Sequence, residues 1–385
     1  MITLLSDNII SALGFTSGQN FENVRQGISG ITYYPESYFN LHEPFMASAI
    51  DSEALDRAFY RLPFAPETNC TKLEKAAIVS VSEALKETAI DASSKRTLFI
   101  LSSTKGNVFL LDSTQRDGYE PEQLFLWRSA ELIAGYFGNK NTPLVVSNAC
   151  ISGASALITA QRALLSKRYD HVIVTGADML SRFVVSGFQS FKALSQEVCK
   201  PFDAERNGLN IGESASTMIL ADTPGDKIQS GQIVLSAGAV RNDANHISGP
   251  SRTGEGSFLA LKHVLSGTGT DEIAFVNAHG TATPYNDEME SVAITRASLQ
   301  DVPITCQKGY FGHTLGSAGI LESIISTRAL RNGIILKTYG FNTLGVTNPL
   351  HVTQQVQTTS RNRCINMLSG FGGCNAALLY TLVKN

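Results

Sequence analysis

The chain has 385 residues, of which 43% are hydrophobic and 17% charged, and its formal net charge is −3. This composition suits a large globular core. The small negative charge gives no global field that would attract nucleic acid, and the sequence has no apolar run of 18 residues, so no membrane span is expected. No secretory leader is recognised, and we expect a cytoplasmic protein. Six cysteines without a C-x-x-C pair favour free thiols.

The first half of the chain alternates predicted strands and helices. Thr71 and Glu74 fit a capping box that begins a helix at 71–89. A helix at 121–137 begins at a proline, and residues 183–210 are predicted to be irregular. The remaining predictions for this half are an initial strand, a helix at 21–26, a loop or exposed helix at 106–119, a helix at 155–167, and strands at 97–101, 144–146, 171–175 and 214–220.

The second half follows a similar order of elements without visible sequence identity to the first. Strands are predicted at 233–240, 273–277, 302–306, 364–368 and 376–383, and helices at 257–265, 287–298 and 318–332. This alternation predicts an α/β fold with largely buried sheets. A polar turn at 223–226 is the best boundary, and it divides the chain into residues 1–224 and 225–385.

Cys150 is the most informative residue of the sequence. It follows the apolar run at 144–146 and precedes small residues that include Ser152 and Gly153. This order predicts a strand, a sharp turn and a helix whose N-terminus holds the thiol, where backbone N–H groups favour negative charge. A thiol in that place has a lowered pKa and acts as a nucleophile. The alternative is a buried packing cysteine, the commoner role of a lone cysteine in an apolar run.

Two histidines follow predicted strands on glycine-rich loops. His279 follows the strand at 273–277, and His313 lies between Lys308 and Glu322. Histidines at the carboxyl ends of strands are placed to face a crevice; the alternative is that they only satisfy loop backbone groups. Two histidines without a matching cysteine group are too few for a metal site.

One thiol with two neutral imidazoles indicates acyl chemistry through a thioester. The imidazole N–H groups would donate to a developing enolate or oxyanion. A cysteine hydrolase needs one histidine and an orienting Asn or Asp, which leaves the second histidine without a role.

Together these segments resemble the elongating β-ketoacyl–acyl carrier protein synthases, condensing enzymes of the thiolase superfamily. The likeness extends from about residue 145 to the C-terminus and is weaker before it. The residues that carry it are Cys150 and its turn, residues 277–284, Lys308 with residues 312–313, Gly319 with Glu322, and residues 201–203, 205–208, 212–213 and 370–373.

The resemblance implies a thiolase-like fold of two pseudo-duplicated α/β halves that form a layered αβαβα core. It implies that Cys150 takes an acyl group as a thioester, and that His279 and His313 hold the malonyl thioester and stabilise the enolate as carbon dioxide leaves. Lys308 and Glu322 support the histidines. The backbone N–H groups of Cys150 and Ser369 form the oxyanion hole. The substrate-binding residues that the resemblance implies are Thr281, Thr283, Ser369, Gly370 and Phe371.

Cys374 bears on whether the chain is more similar to a thiolase or to a synthase. Thiolases carry a second catalytic cysteine near the C-terminal glycine loop, and Cys374 follows Gly373. It stands, however, where the synthases usually have a threonine. His313 occupies the second-histidine position, where initiating synthases have asparagine. The resemblance therefore favours an elongating synthase over a thiolase-like acyltransferase that acts on coenzyme A esters.

Two departures from the family concern the substrate. Ser369 stands where common elongating enzymes have a gating phenylalanine, so the acyl pocket is less gated or is gated by another side chain. The region before Cys150 is shorter than is typical. Both leave the chemistry intact, and we expect a specialised polyketide or aryl polyene-type product in preference to a housekeeping fatty acid.

The resemblance also implies partners. An acidic acyl carrier protein would deliver substrates on its phosphopantetheine, and basic residues near the pocket mouth would bind it; Lys192, Lys200, Arg206 and Arg57 are candidates. The protein is expected to form a homodimer, or a heterodimer with a chain-length-factor homologue that lacks the cysteine. No redox cofactor or catalytic metal is expected, although a structural monovalent cation occurs in the family.

Overall fold

The computed structural model describes residues 1–63, 69–243, 246 and 249–384. Its strands are β1 (Ile2–Ile10), β2 (Thr32–Tyr34), β3 (Phe45–Ser48), β4 (Thr97–Ser102), β5 (Leu144–Val146), β6 (His171–Asp178), β7 (Ile211–Gly212), β8 (Ser214–Asp222), β9 (Ile233–Asn242), β10 (Ile273–Asn277), β11 (Ile304–Thr305), β12 (Ile334–Ile335), β13 (Gln357–Thr358), β14 (Arg363–Gly370) and β15 (Cys374–Leu382).

The α-helices are α1 (Ser17–Arg25), α2 (Ser52–Phe59), α3 (Lys72–Leu85), α4 (Leu126–Tyr136), α5 (Ser152–Leu165), α6 (Arg182–Ser190), α7 (Glu255–Val264), α8 (Pro284–Arg296), α9 (Lys308–Phe311) and α10 (Ala318–Arg331). Short 3-10 turns lie at Glu36–Tyr38, Val108–Leu111, Ser113–Gln115, Pro121–Leu124, Gly225–Lys227, Thr270–Glu272 and Leu315–Ser317. Within the part of the chain that the structure describes, no helix is both long enough and apolar enough to cross a membrane.

The structure confirms most predicted elements and corrects two. Helix α6 lies inside the segment predicted to be irregular; Ser181 caps it by accepting a hydrogen bond from the Val184 backbone N–H. The predicted helix at 121–137 is interrupted, because a 3-10 turn at Pro121–Leu124 precedes α4. The capping box that begins α3 is present as predicted, with Thr71 and Glu74 bonded reciprocally.

One large sheet runs through the molecule in the order β11-β10-β14-β15-β9-β1-β8-β6-β4-β5. In the first half, β4 pairs parallel with β5 and β6, and β8 pairs antiparallel with β6 and β1. In the second half, β10 pairs parallel with β11 and β14, and β15 pairs antiparallel with β14 and β9. The two halves therefore share one strand topology, and they join where β1 pairs antiparallel with β9.

The helices complete a layered core around this sheet. α3 packs on β1, β6 and β8, while α7 packs on β9, β14 and β15. Between the halves, α5 and α10 contact each other and strands of both halves. Each half of the sheet thus forms one β layer: α3 lies outside the first, α7 lies outside the second, and α5 and α10 lie between them. The layers therefore run in the order αβαβα, which confirms the expected thiolase-like fold class. The predicted boundary at residue 224 lies between β8 and β9.

Candidate active site

The Cys150 turn is built by its neighbours. β5 ends at Val146, and Ala149 adopts a left-handed conformation with φ of 44°, which is uncommon for a residue with a Cβ and marks a strained turn. Ser152 Oγ accepts a hydrogen bond from the Asn148 backbone N–H at 2.7 Å and donates to the Ala149 carbonyl at 2.6 Å. The chain then enters α5 at once, so the Cys150 thiol lies at a helix N-terminus as predicted.

Two glycines bring this turn against the second half of the molecule. A Cβ on Gly153 would lie 2.9 Å from the Ile320 backbone nitrogen, and a Cβ on Gly319 would lie 2.4 Å from the Ala154 backbone nitrogen. Only glycine permits such contact between the N-terminal turns of α5 and α10. The approach sets Cys150 beside the segment that carries His313.

The His279 loop is held by a buried carboxylate. The backbone N–H groups of His279 and Gly280 both donate to Glu290 of α8, each at 2.7 Å. Gly280 has a positive φ of 51°, and a Cβ there would lie 2.6 Å from Cys306 Sγ. The loop is thus fixed where β10 ends, and the imidazole is buried.

The His313 side chain is held by its own turn. The Leu315 backbone N–H donates to His313 Nδ1 at 3.3 Å, which assigns the imidazole proton to Nε2. His313 Nε2 is buried and has no hydrogen-bond partner among the described residues. The backbone N–H of His313 donates to the Asn210 carbonyl at 2.7 Å, and Leu315 adopts a φ of 52°. An imidazole N–H is therefore free to serve a ligand.

The three predicted residues converge. Cys150 Sγ and one ring nitrogen from each of His279 and His313 all lie within 4.8 Å of one another, and all three residues are buried. The two imidazole rings are nearly perpendicular, at 85°, with centroids 5.1 Å apart. Among the described residues this is the one cluster of histidine, cysteine and carboxylate ligands spaced to hold a metal ion.

The cluster opens into a cavity of about 640 Å³. Three aromatic rings lie on its wall: Phe371 stacks on Phe188 with centroids 6.0 Å apart and meets Phe191 edge-on at 5.6 Å. The residues predicted to bind substrate, namely Thr281, Thr283, Ser369, Gly370 and Phe371, all line this cavity. Lys308 and Glu322 lie outside its lining.

Lys308 and Glu322 form a buried ion pair, with Lys308 Nζ donating to Glu322 Oε1 at 2.7 Å. Asn277 Nδ2 donates to Glu322 Oε2 at 3.1 Å. Burial lowers the pKa of Lys308, but Glu322, together with Cys306 and Glu290, more than offsets burial, and the pKa is raised overall. The ammonium therefore stays charged inside the protein.

Both histidines are neutral at neutral pH. Burial lowers the pKa of His279 well below its ordinary value, and the Lys308 charge and His313 lower it further. Burial likewise lowers the pKa of His313, with further contributions from Lys308 and Lys105. Neutral imidazoles with a free N–H suit hydrogen-bond donation to a developing oxyanion.

The expectation of a lowered pKa for the Cys150 thiol is wrong. Burial raises that pKa, and the charges of Lys308 and Lys105 offset burial only in part. The sequence pattern revealed the helix N-terminus but not how deeply the thiol is buried. The resting thiol is therefore protonated at neutral pH.

A backbone amide of the C-terminal glycine loop faces the Cys150 sulfur: the Phe371 N–H lowers the pKa of the thiol and so offsets part of the effect of burial. The oxyanion hole formed by the backbone N–H groups of Cys150 and Ser369 stays a prediction. Ser369 lies inside β14 opposite Asn375 of β15, and its hydroxyl donates to Asn375 Oδ1 at 2.9 Å. Phe371 is the first residue of the turn between the strands, so its N–H is free to point at the sulfur.

Three buried carboxylates near the site were missed from the sequence. Burial raises the pKa of Glu290 to about 8 and that of Asp287 to about 6. Asp287 accepts a hydrogen bond from the Phe202 backbone N–H at 2.7 Å. Asp178, at the end of β6, accepts from the turn that follows His313. Asp287 and Glu290 lie on α8, which begins directly after the His279 loop, and this closeness in sequence to His279 was a usable signal.

Buried amide oxygens beside Glu322 fit a hard cation. Asn277 and Asn366 are partners on adjacent parallel strands, and each has a buried Oδ1 with no hydrogen-bond partner among the described residues. Oxygen atoms are the ligands that such cations prefer. If the structural monovalent cation that the resemblance implies binds here, Asn277 Oδ1 and Asn366 Oδ1 are its candidate ligands.

Sequence comparison identifies the family. The profile described as "Beta-ketoacyl synthase, N-terminal domain" matches residues 8–224, and the profile described as "Beta-ketoacyl synthase, C-terminal domain" matches residues 233–342. The chain belongs to the beta-ketoacyl synthase family.

Individual relatives are more distant. A 3-oxoacyl-[acyl-carrier-protein] synthase 2 of Vibrio cholerae is 30% identical over 263 residues, which cover 63% of this chain and 63% of that protein. A mitochondrial 3-oxoacyl-[acyl-carrier-protein] synthase of Arabidopsis thaliana is 32% identical over 259 residues, which cover 61% of this chain and 55% of that protein. The chain thus spans less than two thirds of the length of these relatives.

Solved structures share the fold over the whole chain. A ketosynthase in complex with its chain length factor from Xenorhabdus doucetiae has a TM-score of 0.88 at 24% identity, covering 99% of this chain and 98% of that chain. A beta-ketoacyl synthase from Burkholderia phymatum has a TM-score of 0.85 at 22% identity, covering 100% of this chain and 99% of that chain. At this identity the likeness establishes the fold.

Proposed function

We propose that the protein is a β-ketoacyl–acyl carrier protein synthase that condenses an acyl group held on Cys150 with malonyl-carrier. The observation that carries the proposal is the convergence of Cys150 Sγ with the nitrogens of His279 and His313 within 4.8 Å in one cavity. A cysteine hydrolase would leave one histidine unused, whereas condensation uses both.

The first step transfers the acyl group to the enzyme. Cys150 sulfur attacks the thioester carbonyl of the acyl carrier; a sulfur–carbon bond forms to the enzyme, and the carrier's phosphopantetheine leaves as a thiol with the proton. The raised pKa of Cys150 means that this proton must pass to a neighbour as attack begins. The α5 N-terminus and the Phe371 N–H stabilise the developing negative charge on the sulfur.

The second step forms the new carbon–carbon bond. Malonyl-carrier enters, and the N–H groups of His279 and His313 donate to its thioester carbonyl. The bond between the malonyl methylene carbon and its carboxylate breaks, carbon dioxide leaves, and the electron pair forms an enolate held by both histidines. The enolate carbon attacks the acyl carbonyl and forms the new carbon–carbon bond, the bond from the acyl carbon to sulfur breaks, and the departing Cys150 thiolate takes up a proton from solvent.

The buried ion pair serves this step indirectly. Lys308 lowers the pKa of both histidines and so favours the neutral donor form. Glu322 holds the Lys308 ammonium and is itself fixed by Asn277. We assign Lys308 and Glu322 to positioning and electrostatic support, because neither lines the cavity.

The proposed acyl carrier protein is acidic and therefore needs a basic docking site at the mouth of the cavity. Lys192 lines the cavity, is exposed and forms no ion pair among the described residues. Lys200 is engaged by Glu197 and Glu205, and Arg57 pairs with Glu53 away from the cavity. Lys192→Glu should raise KM for the acyl carrier at low ionic strength, while the control Arg57→Glu should leave it unchanged.

The proposed dimer would use the end of the large sheet. β5 is the last strand in the sheet order, and Leu144 on it is 40% exposed. Phe125 and Trp127 stack in the adjoining segment and are half exposed. An exposed apolar edge strand pairs readily with another chain, either a second copy or a chain-length-factor homologue. Leu144→Lys should shift the purified protein toward monomer in light scattering, unlike Leu165→Lys, which changes an exposed leucine at the end of α5.

We further propose a cytoplasmic enzyme, supported by its cysteines, which are all free and buried in the described structure.

The aromatic rings of Phe188, Phe191 and Phe371 on the cavity wall support an unsaturated or aromatic acyl group as the substrate that Cys150 carries. Acylation of Cys150 by aromatic enoyl carriers and by medium-chain saturated carriers should be compared; a strong preference for plain saturated chains would refute that substrate.

Three variants test the reaction itself. Cys150→Ala should abolish condensation, Cys150→Gln should release carbon dioxide from malonyl-carrier without condensation, and His313→Asn should decarboxylate poorly. A thiolase-like enzyme would instead lose activity with Cys374→Ala and keep it with His313→Asn. In the structure Cys374 Sγ lies 3.3 Å from the Phe371 carbonyl, and burial raises its pKa to about 11, which favours a packing role.

A further inference from the structure

Asp178 is a buried carboxylate outside the proposed reaction, and it joins two segments that are distant in sequence. It ends β6 and is 1% exposed. On one side it accepts from the loop after β4, where Ser103 Oγ donates to Oδ1 at 2.7 Å, Lys105 N to Oδ1 at 3.0 Å, and Thr104 N to Oδ2 at 2.9 Å.

On the other side, Asp178 holds the turn that follows His313. The Gly316 backbone N–H donates to Asp178 Oδ2 at 2.7 Å. A Cβ on Gly316 would lie 2.8 Å from Asp178 Oδ2 and 2.8 Å from Ser103 Cα, so the turn is pressed against the carboxylate and the loop. Ser102 Oγ fastens the same turn from the loop side by donating to the Gly316 carbonyl at 2.6 Å.

This turn sets the orientation of the imidazole. Leu315 precedes Gly316, and its N–H is the donor that fixes His313 Nδ1 as an acceptor and leaves the proton on Nε2. Displacing Gly316 would move Leu315 and release the ring.

We propose that Asp178 is a positioning residue of the active site, whose carboxylate locks the His313 turn onto the loop after β4 and so fixes the imidazole N–H that faces Cys150. Every group that meets the two oxygens is a donor, so a carboxylate is required. An asparagine would turn its own N–H₂ toward one set of these donors and break it.

The test has two readouts: the reaction rates, which rest on the proposed function, and the tautomer of His313, which does not. In the Cys150→Gln background, Asp178→Asn should slow decarboxylation of malonyl-carrier by about 10- to 100-fold, the equivalent of one charge-assisted hydrogen bond. With Cys150 present, acylation of the thiol should change by less than about threefold, because acyl transfer does not depend on the His313 N–H. Asp7→Asn is the matched control, since Asp7 is a buried carboxylate paired with Arg328 in a separate polar pocket. It should leave the ratio of the two rates unchanged.

The second readout is the tautomer of His313, measured by long-range ¹H–¹⁵N correlation and assigned with His313→Gln. The wild-type protein should show a single Nε2–H tautomer, and Asp178→Asn should show a mixture. If Asp178→Asn folds poorly, Ser102→Ala should show the same pattern with a smaller effect.

A fall of both rates in parallel, with the His313 tautomer unchanged, would overturn the proposal. If the Cys150→Gln protein released no carbon dioxide, the proposed function would fail instead, and the tautomer alone would decide the role of Asp178.

Discussion

Lys308 Nζ lies 2.7 Å from Glu322 Oε1, and both side chains are almost completely buried. Either charge alone would be strongly destabilising there, because an unpaired buried ion costs several kcal/mol. The pair keeps an ammonium charged beside two histidines whose function requires them to be neutral. The same cation therefore lowers the pKa of His279 and His313 without exposing the site to water.

Removing the cation should separate stability from activity. Lys308→Met leaves Glu322 as an unpaired buried carboxylate and should destabilise the protein by about 3–5 kcal/mol in chemical denaturation. Lys308→Met combined with Glu322→Gln should recover much of that loss, because Gln still accepts from Asn277. Decarboxylation of malonyl-carrier should stay low in both. Recovery of activity in the double variant would show that Lys308 has no electrostatic role.

The histidines give stability a predictable pH dependence. Their pKa values are lowered in the folded state, so the unfolded chain binds more protons below its ordinary histidine pKa of about 6.5. The stability they contribute is complete above that pH and is lost as the pH falls below it. The unfolding free energy of the wild-type protein relative to His313→Gln should therefore fall between about pH 7 and pH 5. A difference that grows on acidification would contradict buried neutral imidazoles.

Glu290 should give the unfolding free energy the opposite pH dependence. Burial raises its pKa to about 8, so the folded state holds a proton that the unfolded state releases near pH 4.5. Its contribution to stability is lost as the pH rises from about 4.5 to about 8. Relative to Glu290→Gln, the wild-type protein should therefore lose unfolding free energy across that interval. The variant should also decarboxylate about 10-fold more slowly, because Gln accepts from only one of the His279 and Gly280 N–H groups.

The contact between α5 and α10 should tolerate no side chain. Gly319→Ala would bring a Cβ to 2.4 Å from the Ala154 backbone nitrogen, which should cost about 1–3 kcal/mol in stability and separate Cys150 from His313. Gly135→Ala in α4 is the matched control, because a Cβ there meets nothing within 4 Å. It should stabilise the helix by about 0.5–1 kcal/mol. Equal effects of the two changes on melting temperature and condensation rate would contradict the role given to this contact.

The ten strands of the large sheet, most of the longer helices and the three converging residues could be predicted from local sequence patterns. Cys150 and His279 each follow a strand and a short run of small residues, and His313 lies on a glycine-rich loop. The short strands outside that sheet and helix α2 were not predicted. Helix α6 was missed because it is short and its glycine at residue 187 weakened the helical pattern. Each of these outcomes depends on residues that are neighbours in the sequence, so each could be judged from the sequence alone.

What the sequence could not show depends on contacts between distant segments. The raised pKa of Cys150 follows from burial by both halves of the molecule. Asp178 meets Gly316 across 138 residues, and Phe371 offers its N–H to a thiol from the other half of the chain. None of these has a local pattern, since each depends on how α5, α10 and the strand ends are packed.

The central claim is that Cys150 carries the acyl group that condenses with malonyl-carrier. It is tested most directly by peptide mass spectrometry of the enzyme incubated with acyl carrier, before and after malonyl-carrier is added. We predict the acyl mass on the Cys150 peptide, its disappearance when malonyl-carrier is added, and its recovery as a β-ketoacyl carrier extended by one malonyl-derived unit. An acyl group on Cys374, or continued condensation by Cys150→Ala, would contradict the account.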